Sequence, residues 1–354
     1  MDAIKYLALD LHISTITIVM MNAAGRILLQ QSIQTSAAEI RRLLKSIRGK
    51  LIVTFEEGTL SQWAYEIIEP LVYQCIVCNP RRNKTLAEGS KGDVIDARKL
   101  ADLLRTGMIK SVYHGQSGTR VLKELVSSYL GFVSDCVRVM SRIKAIFRSR
   151  GIRGAGRSIY YQKNRQLWLN KLDRPEKRQR AELLFRQLDQ LMLLRRESKK
   201  AMLQAARAEK PYAILSQIPG IGPIRTAIIL AIVVTPHRFR NKRLFWTYCG
   251  LSVILRTSSD YEISNGHKTR IRRKTDTRGL TRDFNHLLKY VFKGAAEEAI
   301  RTEPFKTFYR IRIDKRIAPE MVRLTVARKI ASLILILWKR GIQFDQQIML
   351  NLTA

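Results

Sequence analysis

The sequence predicts an α/β domain with a mixed sheet of ribonuclease-H-like type, then a long basic helical connector, then a mainly helical C-terminal domain. Three observations carry this. Short apolar runs alternate with amphipathic helical patterns over the first 116 residues. Two of those runs end in an acid, and a later helix begins with two more. After about residue 116 the character changes to long, basic helical segments. The 354 residues suffice for two or three domains with real cores. The boundaries expected are 1–116 for the α/β domain, 117–210 for the coiled-coil-like connector and 211–354 for the C-terminal domain.

In the first domain, Tyr6–Asp10, Thr15–Met20 and Ile27–Ser32 read as strands, with Asn22-Ala23-Ala24-Gly25 as the turn between the last two. Ser36–Ile47 reads as a helix with Ile40, Leu43, Leu44 and Ile47 on one face. The strand Leu51–Phe55 follows, then a helix near Gln62–Leu71 and a strand ending at Cys78, broken by Asn79-Pro80. In a sheet of this type the end of the first strand and the end of the Leu51–Phe55 strand can be neighbours.

Asp10 and Glu56 stand at those two ends. Asp93 and Asp96, three apart in Lys91-Gly92-Asp93-Val94-Ile95-Asp96-Ala97-Arg98, share one face at the start of a helix. Acids in a first helical turn are also what the macrodipole favours by itself. Acids at strand ends together with acids on a later helix, however, form the kind of carboxylate cage that holds a hard divalent cation.

Sixty-four Lys+Arg against 29 Asp+Glu give a formal charge of +35. Such a charge repels itself in a compact chain and calls for a polyanionic partner, of which nucleic acid is the first candidate. The N-terminal residues run straight into a strand without signal-peptide organisation, and the apolar run Leu333–Trp338 is too short to span a bilayer, so a cytoplasmic, nucleoid-associated protein without membrane contact is expected. Cys75, Cys78, Cys136 and Cys249 make no disulfide framework; the CxxC at 75–78 falls in a strand-like run and reads as buried reduced thiols.

In the connector, Val121, Leu122, Leu125, Leu130, Val133, Val137 and Ile143 form a roughly heptad seam, and Leu183, Leu184, Leu188, Leu191, Leu193 and Leu194 begin another. Gly151-Ile152-Arg153-Gly154-Ala155-Gly156-Arg157-Ser158 is one substitution short of a P-loop but follows a basic helical run rather than a strand, so it reads as a basic turn. In the C-terminal domain, Ile218-Pro219-Gly220-Ile221-Gly222-Pro223 opens an apolar helix, 224–233. Gly220 and Gly222 would let backbone N–H groups approach a phosphate there, as in helix-hairpin-helix modules; a tight helix–helix turn is the plainer alternative. A serine pair, Ser258-Ser259, precedes the basic stretch Lys268, Arg270, Arg272, Arg273, Lys274, Arg278 and Arg282. Helices over 283–300 and 321–339 close the core, with Phe284, Phe292 and Trp338 as packing residues.

Ala8-Leu9-Asp10, Phe55-Glu56-Glu57-Gly58-Thr59, Cys78-Asn79-Pro80 and the 91–98 stretch, followed by 218–223, Tyr248-Cys249-Gly250-Leu251, Ser258-Ser259 and the basic stretch, resemble in order the IS110/IS116/IS902 family of insertion-sequence transposases. The resemblance implies a RuvC-like domain whose tetrad, Asp10, Glu56, Asp93 and Asp96, holds Mg²⁺. It also implies a serine nucleophile, at Ser258 by count from Gly250-Leu251. Glu57, an acid where relatives carry a small residue, is an alternative to Glu56. Ser259, where relatives commonly carry glycine, leaves the serine assignment between two positions. The resemblance further implies a homo-oligomer, dimer or tetramer, guided by a structured bridge RNA on double-stranded donor and target DNA. The competing readings are a RuvC-like metal-dependent structure-specific endonuclease of Holliday-junction resolvase type, with no covalent intermediate, and a non-catalytic nucleic-acid binder. A tyrosine recombinase would need an Arg/His constellation around Tyr248 or Tyr261.

Overall fold

The structure, a computed structural model, describes residues 3–80, 83, 92–114, 120–153, 156–256, 261–264, 267–270 and 276–351. Met1–Gln116 and Ser117–Ala354 form separate units. The first contains β1 (Lys5–Leu11), β2 (Thr15–Met21), β3 (Ile27–Gln34), α1 (Ala37–Ser46), β4 (Leu51–Glu56), α2 (Ser61–Ile68), β5 (Gln74–Cys78), α3 (Asp93–Arg105) and β6 (Ser111–Val112). The strands form one mixed sheet in the order β3-β2-β1-β4-β5-β6. β1, β2 and β3 pair antiparallel, β1, β4 and β5 run parallel, and β6 adds an antiparallel edge. The β2–β3 turn closes as Gly25, at φ +84°, donates its N–H to Asn22 O, while Arg26 N donates to Asn22 Oδ1. Ser36 caps α1 by accepting from Glu39 N–H.

Strand alternation then sorts the side chains into two layers. Leu7, Leu9, Val53 and Phe55 bury against Ile40, Leu43 and Leu44 of α1 and Ala64, Ile67 and Ile68 of α2. Ala8, Val19, Met21 and Cys78 bury against Ala97, Leu100 and Ala101 of α3 on the other face. By the same two-residue period, Asp10 follows Ala8 and Glu56 follows Thr54 onto the α3 side.

The second unit contains α4 (Arg120–Arg148), α5 (Arg165–Leu169), α6 (Pro175–Ala208), α7 (Tyr212–Leu215), α8 (Pro223–Val233), α9 (Lys242–Tyr248), β7 (Val253–Arg256), β8 (Tyr261–Ser264), β9 (His267–Arg270), β10 (Asp276–Leu280), α10 (His286–Ala299), α11 (Phe305–Asp314), α12 (Pro319–Arg340) and α13 (Gln346–Asn351). α4 and α6 lie antiparallel: Leu122 and Val126 share a core with Met202 and Ala206, whereas Ile143 and Phe147 share one with Ala181 and Phe185. Gly151 follows helix α4, so no strand leads into the glycine-rich turn there. α12 is the apolar centre of the C-terminal part, with Ile330, Leu333, Ile334 and Leu337 buried. Phe292 is fully buried and Trp338 packs at the edge of the same core.

Three expectations need correction. The α4 seam is carried by Leu122, Val126, Cys136, Val139, Ile143, Ile146 and Phe147, while Val121 and Val137 face solvent; on α6, Leu183, Leu193 and Leu194 are likewise exposed. A heptad count drifts from the 3.6-residue helix over such lengths. Asn285 caps α10 by accepting from Leu288 N–H, which leaves Phe284 before the helix, 4.5 Å from the His286 ring. The basic region after Gly250 also contains short strands, β7 paired with β10 and β8 with β9. The cysteines are all unbridged, and burial pushes the Cys75 and Cys78 thiols up to about 12. Among the described residues no helix is long and apolar enough to cross a membrane.

Candidate active site

Asp10 and Glu56 become neighbours through strand register. β1 and β4 pair in parallel with Leu9 opposite Phe55, so the next residue of each strand stands at the carboxyl end of the sheet on the α3 face. α3 starts over that edge. Gly92 is its N-cap, its carbonyl accepts from Asp96 N–H at 2.9 Å, and Asp93 and Asp96 occupy the first turn. Ala97 and Leu100, about one and two turns beyond Asp93, press α3 onto Ala8 and Val19 and set the helix at this height. Two strands and one helix thus aim four carboxylates into one cleft of about 340 Å³, which is lined by Asp10, Glu56, Asp93 and Asp96 together with His12 and Asn83.

The electrostatics of the cleft are those of acids without enough counter-charge. Burial pushes the Asp10 carboxyl above its ordinary 3.8, His12 opposes the shift, and the charges of Asp93 and Asp96 add to it. Burial, then Asp10 and Asp96, push Glu56 above 4.5. Asp96 Oδ1 is buried and has no hydrogen-bond partner among the described residues. An unsatisfied buried carboxylate oxygen is costly, and a divalent cation resolves it while relieving the mutual repulsion. The four donors are carboxylate oxygens, which suits Mg²⁺ or a cation like it. Cys78 pairs in register with Glu56, but burial and that carboxylate hold its thiol protonated, so it offers no thiolate.

The geometry separates the adjacent glutamates. Glu56 lines the cleft, whereas Glu57 turns to the other side, its Oε1 3.8 Å from His114 Nε2, with the His114 ring centred 5.2 Å from that of Tyr65 and tilted against it. Sequence reasoning missed two lining residues. His12 follows β1 directly, and its Nε2 lies 3.2 Å from Asp10 Oδ2 and 3.8 Å from Asp93 Oδ1. Asn83 is buried: its Nδ2 donates to Cys78 Sγ, Asn79 O and Lys110 O, and its Oδ1 accepts from Lys110 N–H, fastening the chain beyond β5 to the start of β6. The position of His12 two residues after Asp10 was a usable signal; Asn83, in a polar stretch, carried none.

The other expected residues lie in the second unit. Gly220 has φ +83°, and a Cβ there would meet Ala295 O at 2.3 Å, so this glycine is demanded by the approach of α10 rather than by a ligand. Arg225 Nη1 donates to Gly220 O and ties the turn to α8. Gly222 is the N-cap of α8, with open space at its Cα. Lys268 and Arg270 belong to the backbone of β9. Ser258, Ser259, Arg272, Arg273 and Lys274 lie outside the described residues, in the segments that join β7 to β8 and β9 to β10.

No curated protein matches the chain. Residues 7–150 match the IS110-type DEDD domain, described as a transposase, and residues 212–310 match the transposase of the IS116/IS110/IS902 family. The first match spans all four acids of the cleft; the second spans the glycine turn, the serine pair and the basic stretch. Together they cover more than half of the sequence in the order expected from its motifs, and the chain belongs to the IS110/IS116/IS902 family of transposases, enzymes that act on DNA.

Proposed function

We propose that this transposase cuts and rejoins DNA through a covalent phosphoserine intermediate, assisted by Mg²⁺ held by Asp10, Glu56, Asp93 and Asp96. The observation that carries the metal half is the convergence of four acids around an unpartnered, buried Asp96 oxygen. Mg²⁺ bound there would supply charge stabilisation at the attacked phosphate. The serine half is supported by the family match across residues 212–310 and by the resemblance, which by count from Gly250-Leu251 puts the nucleophile at Ser258, with Ser259 as the alternative.

In this reading Ser258 Oγ forms a bond to phosphorus as one bridging P–O bond of the strand breaks. The hydroxyl proton ends on the departing strand oxygen. Attack by the hydroxyl of an incoming strand reverses the step, returns the proton to serine and restores a phosphodiester, so no ATP is needed. Arg270, Arg272 and Arg273 clamp the phosphate, with Lys268 and Lys274 beside them. The N-cap turn at Gly222 presents backbone N–H groups to a neighbouring phosphate. The +35 charge then serves double-stranded DNA and a structured guide RNA, retains the protein at the nucleoid, and acts in a homo-oligomer.

The test is to incubate the full chain with element-end DNA, flanking RNA and Mg²⁺, denature, and seek a protein–DNA adduct. An adduct lost in Asp10→Ala and in one of Ser258→Ala or Ser259→Ala supports the proposal and names the nucleophile. Cleavage without an adduct, indifferent to both serines, would replace it with the metal-dependent endonuclease, a reading favoured by a carboxylate cleft built wholly from residues of 1–116.

A further inference from the structure

We infer that His12 is a nitrogen ligand of the cation in the carboxylate cleft, and that the site therefore binds Mn²⁺-type ions in preference to Mg²⁺. The inference rests on the metal reading above and concerns a residue outside the four acids. The donor atoms of Asp10, His12 and Asp93 all lie within 4.8 Å of one another. Ligand atoms about 2.1 Å from one ion stand roughly 3 Å apart when adjacent and roughly 4.2 Å apart when opposite. The His12 Nε2 separations of 3.2 Å to Asp10 and 3.8 Å to Asp93 fall in or near that range.

His12 is held in place by its backbone. It stands between β1 and β2, its N–H donates to Thr15 O at 3.0 Å, and its carbonyl accepts from Thr35 Oγ1 at 2.7 Å. Both sides of the peptide are thus fixed by the hairpin and by the chain leaving β3, which leaves only the ring torsions to bring Nε2 toward the two carboxylates. The ring is half exposed, so it reaches the site from the solvent side while Asp10, Glu56 and Asp96 approach from the protein side. An ion pair with Asp10 alone needs no approach to Asp93, which comes from a different element.

The chemical consequence is selectivity. Carboxylate and water oxygens serve Mg²⁺ and Mn²⁺ alike, whereas an imidazole nitrogen adds affinity for transition-metal ions over Mg²⁺, least for Mn²⁺ and more for the later ions of the row. Replacing a carboxylate-only cage with one containing a nitrogen therefore moves preference away from Mg²⁺ without abolishing its binding.

The test loads Mn²⁺ into the full chain and reads nitrogen coupling to the metal by pulsed electron paramagnetic resonance, with calorimetric Mn²⁺ and Mg²⁺ affinities alongside. The wild type is expected to show a nitrogen coupling that changes when histidine is ¹⁵N-labelled, a readout that depends on no variant. In His12→Ala the coupling disappears and Mn²⁺ binds about tenfold more weakly, with a smaller loss for Mg²⁺. Mn²⁺ binding that is lost in Asp10→Asn but shows no histidine coupling in the wild type overturns this inference and leaves the carboxylate reading intact. Mn²⁺ binding unaffected by Asp10→Asn overturns both.

Discussion

The two regions of this transposase that carry its candidate chemistry are specified in different ways. In the N-terminal unit the site follows from periodicity: a two-residue strand repeat, a parallel register and one helix start carry four acids to a single cleft. In the C-terminal unit the serine pair sits in a segment between two short strands, and no apolar pattern locates it. In the proposed reading the carboxylate cage is written into the core because it must be rigid to hold a cation, whereas the proposed nucleophile lies on a connecting segment between scaffold elements.

The largest expected effect breaks this comparison at its firmer end. Asp10→Asn or Glu56→Gln should reduce DNA cleavage by about 10³-fold, since each removes a charge from the proposed cation site. Glu57→Gln, one residue along but facing His114, should change cleavage by no more than about threefold. Equal losses in both glutamate variants, measured by strand cleavage at saturating Mg²⁺, would mean that strand alternation does not define the site.

The same contrast explains what the sequence made legible. The sheet, α1 and the placing of Asp10 beside Glu56 follow from apolar alternation in residues 4–78 and from the order of elements. Asp93 and Asp96 were legible as a helix start, yet only the packing of Leu100 and Ala101 against Ala8 turns that start toward the strands. His12 lies just past a strand end, where periodicity stops. The strands β7–β10 are hard to read from the sequence because β9 and β10 are polar with little apolar alternation, while β7 and β8, though apolar or alternating, are only four residues long.

Glycine supplies the next test, within the C-terminal unit alone. Gly220→Ala should destabilise the protein by about 3 kcal/mol, because a Cβ would meet a backbone oxygen at 2.3 Å in a conformation that L residues rarely adopt. Gly222→Ala has open space and φ −78°, so its unfolding midpoint should stay within about 2 °C of the wild type. A reduced DNA affinity in Gly222→Ala with that stability preserved would assign the turn to phosphate contact; unchanged affinity would leave it a helix–helix turn.

A smaller effect concerns pH. Asp10 and Glu56 have raised carboxyl pKa values, so the folded protein holds their protons more tightly than the unfolded chain does. Their contribution to stability is therefore fully present below the ordinary values of 3.8 and 4.5 and is lost as pH rises through the folded values. Without metal, Asp10→Asn should weaken this dependence and raise the unfolding midpoint near neutral pH. Saturating Mg²⁺ should do the same to the wild type by supplying the missing counter-charge. Thermal scans from pH 4 upward that show no difference between metal-free wild type and Asp10→Asn would remove the repulsion from the account of this cleft.

The smallest expected effect lies in the connector, where a heptad count and the helix itself disagree. Val137 is 56% exposed and Val139 is 2% exposed, although they are two residues apart on α4. Val139 packs with Ile143 and with Leu188 of α6, so Val139→Ala removes buried methyl groups and should destabilise by about 2 kcal/mol. Val137→Ala removes the same atoms from solvent and should shift stability by no more than about 0.5 kcal/mol. Urea titrations of the two variants compare identical chemistry at different faces of one helix. A large loss in Val137→Ala would mean that this exposed face is covered in solution by a second copy of the chain, which is how a connector would build the oligomer.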